Sequence, residues 1–145
     1  MHRLLATVLI ALGVLFSSGA YASNQAVVHA VNAIRAAHGV PPLKLHPQLQ
    51  AATNQQSVVM AKTGKMAHTA ARGYDFSSRL KMVGYRGAAA ENIARGQKSL
   101  RGVLSGWMNS RGHRRNMLNP RMRYFGLAVV QGKGRNYWAM VLGAN

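Results

Sequence analysis

Apolar residues along this chain recur with two different periods, helical up to Pro120 and alternating after it. In SNQAVVHAVNAIRAAHG, Val27, Val31 and Ile34 share one helical face and Gly39 supplies the residue that tolerates a left-handed turn. That spacing predicts a helix from about Asn24 to Ala37. Pro41 and Pro42 exclude helix from VPPLKLH, Val40 to His46, because they fix φ and remove two donors. Pro47 suits the first turn of a second helix, which carries Leu49, Ala52, Val59 and Met60 on one side and ends at Gly64. Lys65 to Gly84 is mostly loop, with a short helical element around Phe76 to Met82 that Asp75 is placed to cap. Leu100, Val103, Leu104, Trp107 and Met108 form the clearest amphipathic stripe, with Ser99 as its cap. Ser110 to Leu118 reads as a tight turn into a short helix stopped by Pro120.

Beyond Pro120, YFGLAVVQ and NYWAMVLG are rich in aromatic and β-branched residues, and Gly132-Lys133-Gly134-Arg135 between them has turn chemistry. This predicts a C-terminal antiparallel β-hairpin, with Ala90 to Ala94 as a further strand of the same sheet. Helices followed by a hairpin give an α+β fold class with layered packing.

The first residues belong to a different pattern. His2 and Arg3 precede a nearly unbroken apolar run, Leu4 to Phe16, and Ala20-Tyr21-Ala22 offers the small residues of a signal-peptidase site. The expected organisation is a signal peptide over residues 1–22 and one domain over 23–145, with no stable transmembrane segment after cleavage. The competing reading is an uncleaved tether. The domain would then be secreted or periplasmic. It has no cysteine, so its core, drawn from a chain that is 48% hydrophobic, must hold without disulfides, and thiol catalysis and Cys-ligated metals are excluded.

Charge narrows the candidates further. Nineteen Lys and Arg stand against two acids, Asp75 and Glu91, for a net charge of +17. A glycosidase built on paired carboxylates would need both of those acids, and Asp75 is better used as a helix cap. A serine triad lacks its G-x-S-x-G elbow, and no Gly-rich phosphate loop is present. His29, His38 and His46 read as helix-surface or capping residues. His68 in KMAHTAARG and His113 in NSRGHRRNML sit in irregular chain just beyond helices, where a side chain can be aimed into a cleft. With Glu91 they could form a two-imidazole, one-carboxylate set suited to Zn²⁺ or another divalent metal. Their spacing carries no local metal motif, so any meeting of the three depends on the fold.

The segment AENIARGQKSLRGVLSGWMNSRGHRRNMLNPRMRYFGLAVVQGKGRNYWAMVLG resembles the second half of the bacterial, SCP-like branch of the CAP superfamily, named for cysteine-rich secretory proteins, antigen 5 and pathogenesis-related proteins. HGVPPLKLHPQL, MAHTA and RLKMVGYRGAAAENIA, with Arg79, Gly84 and Tyr85, agree with its first half, so the resemblance covers essentially Asn24 to Gly143. It implies a CAP-type α-β-α sandwich whose cleft is lined by His68, Glu91 and His113, with the His pair able to hold a metal. Asn92 and Ser110 would support the cleft. Ser110 stands where many eukaryotic members have a second glutamate, and Ala90 replaces the usual glycine before Glu91.

The functional expectation is a secreted binding module without turnover, its basic exterior favouring an anionic lipid, a cell-envelope polyanion or a small lipid ligand. Arg111, Arg114, Arg115, Arg121 and Arg123 form the expected anion-binding surface. The alternative is a metal-dependent, protease-like hydrolase with His68 and His113 as ligands and Glu91 as ligand or catalytic base. Nucleic-acid binding by charge ranks last, since an exported protein has little opportunity for it.

Overall fold

The computed structural model describes Ser18–Asn145, so the apolar run expected in the leader lies outside the described residues. Nine elements follow one another: α1 (Ser18–Ala37), β1 (Lys44–Leu45), α2 (Pro47–Thr63), α3 (Phe76–Met82), β2 (Ala89–Arg95), α4 (Leu100–Met108), α5 (Arg111–Met117), β3 (Tyr124–Gly132) and β4 (Arg135–Gly143). The sequence-based boundaries of α2, α3 and α4 agree with these. Gly64 closes α2 at φ 71°, Asp75 accepts a hydrogen bond from the Ser78 N–H at the start of α3, and Ser99 accepts one from the Gly102 N–H at the start of α4. Two elements differ. Helix α1 is already formed at Ser18, where the described residues begin, upstream of the Asn24 expected from the spacing of Val27, Val31 and Ile34. The short strand β1 was not foreseen, since Pro41 and Pro42 ahead of it rule out helix without revealing a strand partner.

The four strands form one sheet in the order β1-β3-β4-β2. β3 and β4 pair antiparallel through a two-residue turn at Lys133 (φ 49°) and Gly134 (φ 72°), the left-handed pair such a hairpin needs. β2 runs antiparallel along the other side of β4, and β1 pairs in parallel with Tyr124 and Phe125.

Alternation along β4 builds the layers. Trp138, Met140 and Leu142 point into a core with Val31 of α1, Val103, Leu104 and Trp107 of α4, and Met117 of α5. Tyr137, Ala139 and Val141 point the other way, towards Leu49, Met60 and Ala61 of α2. Both faces of the sheet are therefore covered, which is the α-β-α arrangement. Contact with α2 is close enough to demand glycine. A Cβ on Gly126 would lie 2.5 Å from the Gln50 backbone nitrogen, and one on Gly132 would run into the Ala61 carbonyl oxygen.

Candidate functional site

β2 is the strand that brings the site residues to one place. Because side chains alternate along a strand, Glu91 and Asn92 leave β2 on opposite faces of the sheet. Glu91 points to the α2/α3 layer and Asn92 to the α4/α5 layer. β2 also lies at the edge of the sheet, where the two layers can meet around it.

On the first face, the Arg79 guanidinium grips Glu91 in a fork. Nη1 donates to Oε2 at 2.6 Å and Nη2 to Oε1 at 2.9 Å, with the two side chains 0% and 1% exposed. Arg79 also donates through Nε to the Tyr74 carbonyl and through Nη2 to the His68 carbonyl, which fixes the loop carrying His68. His68 Nδ1–H then donates to Glu91 Oε1 at 2.8 Å, and its ring remains 57% exposed. That hydrogen bond, reinforced by the carboxylate's charge, holds His68 above the ordinary histidine pKa against burial and Arg79.

His113 arrives from the second face. It lies within the first turn of α5, which corrects the sequence-based placing of it in irregular chain. Asn92 positions this turn by donating through Nδ2 to the His113 carbonyl at 3.1 Å, while its Oδ1 accepts from Asn116 Nδ2 at 2.9 Å. Ser110 stands at the N-cap of α5 without a side-chain capping bond, so it supports the turn through its backbone, which accepts from the Arg114 N–H. Burial, and then the charge on nearby His68, hold His113 below the ordinary histidine value.

The three sequence candidates thus approach one another as a pair of imidazoles and a carboxylate already in use. Among the described residues, no three His, Asp or Glu side chains gather as a metal-holding group. Both Glu91 oxygens accept from Arg79, one of them also from His68, and His68 Nδ1 is spent on Glu91. The donors left for a metal are His68 Nε2 and the His113 ring. That set does not fit a three-ligand Zn²⁺ site.

Two buried arginines were missed as site-building residues. Arg79 was read only as part of a motif, although a lone glutamate in so basic a chain was a signal that some cation had claimed it. Arg35 of α1 is fully buried and has no carboxylate partner; its guanidinium donates to the carbonyls of Pro41, Met117, Asn119 and Met122. It ties α1 to the C-terminal end of α5, where the helix carbonyls carry partial negative charge. Desolvation, then Arg123, pushes its pKa down. Arg111, Arg114 and Arg115 of α5, with Arg121 and Arg123 after it, are all exposed.

A separate feature lies between α1 and α4. Ala33, Ile34 and Ala37 face Leu100, Leu104 and Met108 across an apolar groove of about 870 Å³. The exposed side chains of Arg101 and Arg114 also line it.

Comparison with known proteins agrees with the architecture. The chain is 34% identical over 116 residues to the uncharacterized protein YkwD of Bacillus subtilis, covering 79% of this chain and 45% of that one, so it spans about half of this relative's length. An extracellular protein containing an SCP domain from Bacillus anthracis superposes with a TM-score of 0.74 at 25% identity, over 86% of this chain and 41% of the other. An outer surface protein from Borrelia burgdorferi gives a TM-score of 0.74 at 16% identity, over 82% and 90% of the two chains, a likeness of fold. The profile of the cysteine-rich secretory protein family, CAP, matches residues 28–142, and the chain belongs to that family.

Proposed function

We propose that this protein is an exported binding module that holds a single-chain anionic amphiphile, with the acyl chain in the groove between α1 and α4. The observation that carries this reading is the groove itself: an apolar trough lined by helix residues, with two exposed arginines beside it and no acid in its lining. An acyl chain buries apolar surface there, and its carboxylate or phosphate meets Arg101 or Arg114. The chain's net charge of +17 would hold the loaded protein near anionic envelope surfaces, each nearby Lys or Arg adding about 1 kcal/mol. Export is in keeping with the extracellular and outer-surface relatives, and no helix among the described residues is long and apolar enough to cross a membrane.

Calorimetric titration with palmitate tests this. One saturable site is expected, each methylene removed from the chain weakening it about fourfold, the equivalent of ~0.8 kcal/mol per buried CH₂. Ala33→Trp should fill the groove and abolish binding while the melting temperature stays unchanged. Binding that survives this substitution would remove the groove from the account.

The hydrolytic alternative has less support, because Glu91 is engaged by Arg79 and has no free oxygen with which to activate water. Zn²⁺ titration bears on the imidazole pair directly: a two-imidazole site gives heat that is lost in both His68→Ala and His113→Ala. Equal heats in all three proteins would dismiss it.

A further inference from the structure

A second cavity, of about 620 Å³, opens between α3 and the loop that follows it, away from both the histidines and the α1/α4 groove. Phe76 and Leu80 give it an apolar wall. Ser77, Lys81 and Arg86 contribute a hydroxyl, an ammonium and a guanidinium, all on exposed residues. Neither cation has a side-chain carboxylate partner: Asp75 accepts from Ser78 through both oxygens, and Glu91 is held by Arg79 and His68.

The loop wall is built rather than loose. Gly84 sits at φ 74°, and a Cβ on Gly87 would lie 2.7 Å from the Tyr85 hydroxyl oxygen, so the chain can pass here only as glycine. Tyr85 is itself fixed, edge-on to the His46 ring with centroids 5.5 Å apart and accepting from the Asn145 N–H at 3.1 Å. In this rigid turn the N–H groups of Arg86 and Gly87 find no acceptor among the described residues. The lining therefore offers donors from five places and nothing anionic.

We infer that this cavity is a ligand site for a sugar phosphate. A phosphate group has enough oxygens to take the Arg86 fork, the Lys81 charge, the Ser77 hydroxyl and backbone donors together, which a carboxylate with two oxygens cannot. The cavity is far larger than phosphate alone and falls in the ~300–1,000 Å³ range of small-molecule sites, with an apolar wall suited to the C–H face of a sugar ring. Free sugar phosphates and phosphorylated sugar units of an envelope glycan share this chemistry.

The test is an amide NMR titration of the purified protein at 150 mM salt with glucose 6-phosphate, glucose, inorganic phosphate and a phosphorylated glycan. Glucose 6-phosphate should shift the amides of Ser77, Gly84, Arg86 and Gly87 to saturation. Glucose should be silent, and phosphate alone should bind about tenfold or more weakly, a difference of ~1.4 kcal/mol. Competition by the glycan at the same amides assigns the site to polymer-borne units; saturation without competition assigns it to the free ester. Lys81→Gln with Arg86→Gln should weaken binding about tenfold or more, while Arg111→Gln with Arg115→Gln on α5 leaves it unchanged. Equal losses in the two double variants, shifts scattered over the surface, or phosphate binding as well as its ester would each overturn the assignment and leave only a basic surface.

Discussion

At the scale of single residues, Glu91 is first a structural counter-ion. Its carboxylate neutralises a guanidinium that is itself 0% exposed, and removing one partner of such a pair leaves the other charged and dry. Glu91→Gln should cost about 3–5 kcal/mol in urea denaturation, whereas Glu91→Gln combined with Arg79→Met should recover much of it, as replacing both ions of a buried pair often does. A single-variant loss below about 1 kcal/mol would mean that the pair does not organise the site. The two histidines act on stability with opposite sign. His68 has a raised pKa in the fold, so its contribution is complete below the ordinary histidine value and is lost as pH rises through the folded value. His113 has a lowered pKa, so its contribution is present above the ordinary value and is lost as pH falls through the folded one. Imidazole resonances should show His68 titrating above His113. In His68→Asn, the His113 value should move up but stay below ordinary, since burial is the larger cause and remains. An unmoved His113 would show that the two rings do not sense each other.

At the scale of elements, local sequence rules explain most boundaries, and glycine explains how closely the elements pack. Gly106 and Gly126 separate the two effects. A Cβ on Gly106, inside α4, would meet only Gln97 Nε2 at 3.7 Å, so Gly106→Ala should stabilise by about 0.5–1 kcal/mol through helix propensity. A Cβ on Gly126 would press into the backbone of α2, which has no freedom to yield, so Gly126→Ala should destabilise by about 1–3 kcal/mol. The same sign for both in thermal denaturation would contradict this account of helix-sheet packing. Ser99 holds the first turn of α4, one wall of the apolar groove. Ser99→Ala should cost about 0.5–2 kcal/mol and Ser99→Gly only a few tenths, because glycine tolerates the cap geometry. A loss as large for glycine as for alanine would point away from capping.

At the scale of the whole molecule, a net charge of +17 makes self-repulsion a general cost. Raising salt from about 10 to 150 mM shortens the screening length from ~30 to ~8 Å, so the melting temperature should rise, while the dry Arg79–Glu91 pair is little affected. A flat or falling melting temperature would show that the basic residues are spaced widely enough to ignore one another. The helices, the hairpin and the role of Asp75 were legible in the sequence, because periodicity, proline, capping residues and turn glycines act within a few residues of themselves. His68, Glu91 and His113 were legible as members of one neighbourhood through motif resemblance, but their division of labour was not. That division follows from non-local facts: β2 pairs on the outer side of β4, alternation sends Glu91 and Asn92 to opposite layers, and Arg79 comes in from α3 to claim the carboxylate. Arg35 gave no sequence signal, since its partners are carbonyls of distant residues and any residue has one of those. The sequence by itself determined most of the elements and the strongly basic charge balance. Only the tertiary structure decided what engages Glu91, which arginines are dry and where grooves remain between helices, because these depend on pairings between residues far apart in the chain.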